Sequence, residues 1–163
     1  MAVRLTRPPR RPRTASRVAA VQALFQSEQA QDNPETVIDQ FIRHRLGGSP
    51  GTDGFEDGRV PHAEVPLFAR IVRAAVARQD TIDPMLAEAL PADWPLARID
   101  PVLRALMRAG VAELAMAEGP PAKVVINEYL DVARGFFTGA EPGMANAVLD
   151  RLARLLRPGE FDA

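Results

Sequence analysis

Apolar residues in this chain recur with the period of an α-helix and nowhere with that of a strand, and prolines mark where each run begins or stops. Val18, Val21, Leu24 and Phe25 fall at i, i+3, i+6 and i+7, one stripe of a first helix with Thr14 or Ser16 as predicted N-cap. Asn33-Pro34 joins a capping side chain to a proline at the first helical position, where a missing N–H does no harm. Val37, Ile38, Phe41 and Ile42 then face inward. A third helix near Val65 presents Leu67, Phe68, Ile71, Val72, Ala75 and Val76. Pro84 is expected to break or restart the pattern that Ile82, Met85, Leu86 and Leu90 continue. Pro91 to Pro95 reads as a linker with Trp94 as a core anchor. Asp100-Pro101 repeats the cap-and-proline device and opens a helix to about Met116, with Leu103, Leu106, Met107, Gly110 and Leu114 on its buried face. Gly110 in mid-helix costs about 1 kcal/mol against Ala, which close approach of another helix would explain. Pro120-Pro121 precedes a helix over Ala122–Phe137. Pro142 opens the last one, with Val148, Leu149, Leu152, Leu155 and Leu156 inward, and Pro158 stops it. The predicted fold class is all-α, a compact bundle of about seven helices that bury their stripes against one another.

The 163 residues fit one domain. The expected division is a basic flexible arm over 1–13, a single helical domain over 14–158 and a tail over 159–163. Gly47 to Pro61 carries five Gly, two Pro and three acids and reads as a long loop, the likeliest internal segment for disorder. Residues 1–17 hold six Arg and no acid, a local charge of +6, which leaves −7 on the remainder of a chain of net charge −1. That asymmetry marks a basic arm on an acidic body. No apolar run reaches transmembrane length, and the basic start lacks the apolar segment of a secretory signal. A cytoplasmic protein is expected, with no membrane partner.

Chemistry is sparse. Without Cys there is no thiolate or disulfide, and His44 and His62, both near the predicted loop, make no metal cluster. No phosphate-binding glycine loop, zinc-binding His-Glu-x-x-His or Ser/His/Asp set is present. The reading is non-enzymatic, with no catalytic residues, cofactor or metal. Arg13 and Arg17 lie four apart, hence on one face of a first helical turn, with Arg10 and Arg11 just upstream. Such a set suits a phosphate backbone. At about −0.7 per phosphate on single-stranded RNA, six arginines bound the arm's salt slope near −4. Phe136 and Phe137 are adjacent and cannot face the same core, so one is a candidate to stack a base. Asn127 and Asn146 lie in apolar helices and are expected to hold the last two helices in register.

The stretch Lys123-Val124-Val125-Ile126-Asn127-Glu128-Tyr129, followed by Ala133-Arg134-Gly135-Phe136 and Met144-Ala145-Asn146-Ala147-Val148-Leu149-Asp150, resembles the last two helices of the NusB family. Ala20-Val21-Gln22-Ala23-Leu24-Phe25 resembles its first helix, and Trp94, Arg98 and Leu106 to Leu114 its central part. The resemblance covers about Arg13 to Arg157. It implies two packed helical halves and a bacterial transcription antitermination factor. Such a factor binds boxA single-stranded RNA with NusE, the ribosomal small-subunit protein, and joins RNA polymerase and other Nus factors on ribosomal RNA operons. By position it implies RNA contacts at Arg10, Arg11, Arg13, Arg17, Arg134, Phe136 and Met144, and a NusE contact at Phe25. Met144 and Gly143 depart from a family Phe and a basic residue, and Leu103 from an acid near the NusE surface. Some family members dimerise through the RNA-facing surface, so a homodimer is a possible competing state. Two other readings stand beside this one. One is an RNA-positioning module related to ribosomal RNA cytosine methyltransferases, and the other a protein-binding helical scaffold.

Overall fold

The computed structural model describes residues 12–46 and 63–161. Seven α-helices run through them: α1 (Pro12–Ala30), α2 (Pro34–His44), α3 (Val65–Ala77), α4 (Gln79–Ala89), α5 (Pro101–Leu114), α6 (Ala122–Phe136) and α7 (Glu141–Leu156). Helices α1 to α3 pack together, as do α4 to α7, and α5 joins the two halves by touching both α1 and α3. The all-α bundle in two halves is therefore what forms. The Gly47–Pro61 loop, most of the basic arm with Arg10 and Arg11, and His62 lie outside the described residues.

Two helices are buried nearly all round, which places them at the centre of the domain. On α1 every residue from Ala15 to Leu24 is buried. On α5 every residue from Val102 to Leu114 is buried except Arg104. The expected punctuation is present at α2 and α5: the Asn33 carboxamide accepts from the Glu35 N–H at 2.8 Å and the Asp100 carboxylate from the Val102 N–H at 2.7 Å. Phe41 and Phe68 stack at 5.5 Å between ring centres and fasten α2 to α3. Trp94 is half-buried against the core.

Several local expectations change. Helix α1 already includes Pro12, so neither Thr14 nor Ser16 caps it. The Ser16 hydroxyl instead donates to the Glu64 carbonyl at 2.9 Å and accepts from the Glu64 N–H at 2.6 Å, pinning the start of α3 to α1. Pro84 does not break its helix. The break falls at Arg78, and α4 runs through Pro84 because Ile82, Leu86 and Ala89 anchor it to the core at the loss of one backbone hydrogen bond. Ile42, Val76 and Leu155, expected inward, are exposed, since each lies at the edge of a stripe already filled by its neighbours. Helix α6 ends at Phe136, one residue early.

Gly110 has the expected purpose. A Cβ there would lie 2.9 Å from Leu149 Cδ2 and 3.0 Å from Cδ1, so α5 and α7 approach where no side chain intervenes. Charges on the buried α5 must be paired. Arg104 and Arg108 both reach Glu28 of α1, and Arg108 also donates two hydrogen bonds of 2.8 Å to Asp83 of α4. Burial opposes the Glu28 charge, but hydrogen bonds from Arg104 and then Arg108 hold its carboxyl below the ordinary value.

Two outcomes follow for stability. Gly110→Val should destabilise the domain by about 1–3 kcal/mol, the usual range for overpacking a filled core, read as a lower urea midpoint. Because the folded Glu28 pKa is depressed, its contribution is present above the unfolded value of about 4.3 and lost as pH falls through the folded one. Glu28→Gln should therefore lower the melting temperature at neutral pH, and the gap to the unaltered chain should close in acid below about pH 4.

Candidate nucleic-acid interface

The N-terminal turn of α1 lies beside the first half of α6, and a cleft of about 420 Å³ opens between them, bordered by Pro12, Arg13, Thr14, Glu64, Pro120, Val124 and Glu128, with Arg17 at its floor. The start of α6 is fixed from behind. The Arg157 guanidinium, just past α7, donates to the carbonyls of Leu114 at 2.9 Å, Pro120 at 2.7 Å and Glu113 at 3.1 Å. The Glu160 carboxylate accepts the Ala122 N–H at 2.8 Å, and that bond draws its pKa below the ordinary value.

Arg13 and Arg17 have different fates. The Arg13 side chain is 64% exposed, with Nε 3.7 Å from a Glu64 oxygen. The Arg17 side chain is 2% exposed. Its Nε and Nη2 donate to the two Glu113 oxygens at 2.7 and 3.0 Å, a bidentate pair between α1 and α5. The Tyr129 hydroxyl of α6 donates to Glu113 Oε1 at 2.8 Å. Glu128 Oε2 stands 3.6 Å from Arg17 Nη1 and accepts the Thr14 hydroxyl at 2.7 Å. Burial alone would lower the Arg17 pKa, yet the Glu113 hydrogen bonds and charge raise it on balance. Burial, then the Glu113 charge, push the Tyr129 phenol well above its ordinary value. Arg17 thus stays charged and Tyr129 neutral near pH 7. The expectation of Arg17 as an exposed phosphate contact changes: Nε and Nη2 are engaged by Glu113, the side chain is 2% exposed, and it holds α1, α5 and α6 together beneath the surface that Arg13 faces.

At the far end of α6, Arg134 is exposed, whereas Phe136, Phe137 and Met144 are half-buried against the core. Residues two apart on a helix diverge by about 200°, so Arg134 and Phe136 do not share a face. The two Phe rings lie 6.4 Å apart at 55°, and the either-or of one packed and one free ring resolves as a pair that each pack partly. Asn127 is exposed, not a core polar group, because Val125, Ile126, Tyr129, Val132 and Ala133 occupy the inner face of α6. Asn146 is half-buried. Phe25 is half-buried where α1 emerges from the core. Position 103 is fully buried, so Leu103 is core.

Among the described residues no group of three or more His, Cys, Asp or Glu is placed to hold a metal, and no helix is long and apolar enough to cross a membrane. What the geometry defines is an all-α, two-halved bundle that presents the exposed cations Arg13 of α1 and Lys123 and Arg134 of α6 over a buried ionic layer. The model of the NusB family matches residues 14–154, and this chain belongs to that family. It is 72% identical over 151 residues to the transcription antitermination protein NusB of Granulibacter bethesdensis, covering 93% of each chain. Among solved structures it is similar to the NusB of T. maritima, with a TM-score of 0.69 and 25% identity over 93% of this chain and 98% of that one. It also matches a chain in a structure of NusB and NusE with double-stranded RNA, with a TM-score of 0.62 and 20% identity over 87% of this chain and 96% of that one.

The two arginines should separate cleanly. Arg17→Met removes one partner of a buried pair and should cost about 3–5 kcal/mol of folding stability. Arg13→Ala removes an exposed side chain and should stay within about 0.5 kcal/mol of the unaltered protein. Urea unfolding of both checks this.

Proposed function

We propose that this chain is a non-enzymatic transcription antitermination factor that binds boxA-type single-stranded RNA together with NusE. The observation that carries the reading is the 72% identity to a transcription antitermination protein across 93% of both chains. The exposed cations Arg13 and Arg134 support it, since phosphate affinity needs charge that a polyanion can reach: Arg134 has no ion-pair partner among the described residues, and Arg13 shares only a solvent-exposed 3.7 Å contact with Glu64. Arg10 and Arg11, three and two positions before Arg13 in the sequence, are proposed to add to this phosphate affinity. Phe136 and Met144 offer an aromatic edge and a polarisable thioether at the other end of α6. Arg17 contributes by position and not by contact. Phe25 forms part of the surface for NusE. The complex acts in the cytoplasm with RNA polymerase and other Nus factors on ribosomal RNA operons, and a homodimer through the same surface is the competing state.

A fluorescent boxA-type RNA and a scrambled RNA, titrated with and without NusE over a salt series, test this. The expected result is binding that favours boxA, tightens with NusE, and weakens with salt at a slope bounded by about −0.7 for each neutralised phosphate. Weak, non-selective binding that NusE leaves unchanged would contradict it and favour the protein-binding scaffold.

A further inference from the structure

Helix α6 carries an outward stripe that the family resemblance assigns only at its last member. Lys123, Asn127 and Arg134 are all exposed. At about 100° per residue they fall within some 40° of one another, and at about 1.5 Å per residue Lys123 and Arg134 stand about 16 Å apart. Neither Lys123 nor Arg134 has an ion-pair partner among the described residues. This distinguishes them from Arg17, Arg104 and Arg108, whose charges are spent on Glu113, Glu28 and Asp83. Val124, 43% exposed, bridges the stripe to the cleft that Arg13 borders.

We propose that this stripe is a track for single-stranded RNA, continuous with Arg13, in which Lys123 and Arg134 take phosphates and Asn127 reads a base edge between them. The inference rests on the RNA-binding reading above and adds Lys123 and Asn127 to it. The spacing fits the chemistry. Sixteen ångströms correspond to about five nucleotides at roughly 3.4 Å per stacked residue, enough for a central base to lie over Asn127. A carboxamide offers both donors and an acceptor, which suits the exposed Watson–Crick edge of an unpaired base. The cations carry no sequence information and supply affinity. Asp131 borders the stripe on the Val124 side and is already engaged within the protein.

The test uses the full chain and the fluorescent boxA-type and scrambled RNAs, with Lys123→Ala, Arg134→Ala and Asn127→Ala. Arg151→Ala, an exposed arginine of α7, is the control for general charge. Urea midpoints establish that each variant is folded. Lys123→Ala and Arg134→Ala should each weaken both RNAs on the order of fivefold near 0.1 M salt and flatten the salt slope by about 0.7. Asn127→Ala should leave the slope unchanged and shrink the preference for boxA. The track is overturned if the Lys123, Asn127 and Arg134 variants bind as the unaltered chain does while that chain still prefers boxA; the broader RNA reading then stands. It is equally overturned if Arg151→Ala weakens binding as much as Lys123→Ala, which would mean diffuse charge. If the unaltered chain binds neither RNA, the RNA reading itself fails and the track with it.

Discussion

The buried ion pair of Arg17 on Glu113 ties the first helix to the central one at the end where α6 joins them, and the surface above α1 and α6 hangs from it. Glu113 accepts from Arg17 on one side and from the Tyr129 hydroxyl on another, so one carboxylate fixes the relative positions of α1, α5 and α6. Glu128 extends the layer outward by taking the Thr14 hydroxyl. Removing charges from water carries a penalty of several kcal/mol per ion, offset only where geometry and hydrogen bonding are nearly complete. Here both carboxylate oxygens are engaged, and the phenol completes the set. The layer lies directly beneath Arg13 and Val124, so the surface above it has little freedom to shift.

Two groups of arginines among the described residues behave by different physics. Arg17, Arg104, Arg108 and Arg157 point inward, and each joins elements distant in sequence: α1 to α5, α5 to α1, α5 to α4, and the end of α7 to the start of α6. The planar five-donor fork of a guanidinium suits such multiple contacts. Arg134 points outward with no ion-pair partner among the described residues, and Arg13 points outward with Glu64 3.7 Å away, a solvent-exposed contact that a polyanion can compete for. A count of basic residues cannot tell the two groups apart. Burial can, and it moves Arg17 from the second group to the first.

Much of the fold was legible because capping and periodicity are local. Asn33-Pro34 and Asp100-Pro101 mark the starts of α2 and α5, and Gly110 betrays the contact with Leu149, because each acts through its own backbone or immediate neighbours. Pro84 misled because the local cost of a proline was outweighed by the tertiary anchoring of Ile82 and Leu86. The site was less legible. The spacing of Arg13 and Arg17 is right for a shared face, but it says nothing of what covers that face. A signal did exist: Ala15, Val18, Ala19, Ala20, Val21 and Ala23 leave α1 without a broad polar side, which implies burial all round, and α5 carries a lone acid, Glu113, in an otherwise apolar final turn. Pairing that acid with Arg17 across 96 positions needs the fold. Asn127 was misplaced for a simpler reason. Its helix is apolar on average, but the angle of position 127 puts it opposite Val125, Tyr129 and Val132.

The claim that Arg17 is an internal tie through Glu113 is tested most directly by a double-mutant cycle of the two residues. Unfolding free energies would be measured in urea for Arg17→Met, Glu113→Gln and the double variant. Residues in one hydrogen-bonded network show coupling of about 0.5–3 kcal/mol, and the double variant should lose less stability than the two single losses combined by an amount near the top of that range. Losses that add to within about 0.3–0.5 kcal/mol, as independent sites do, would contradict the account.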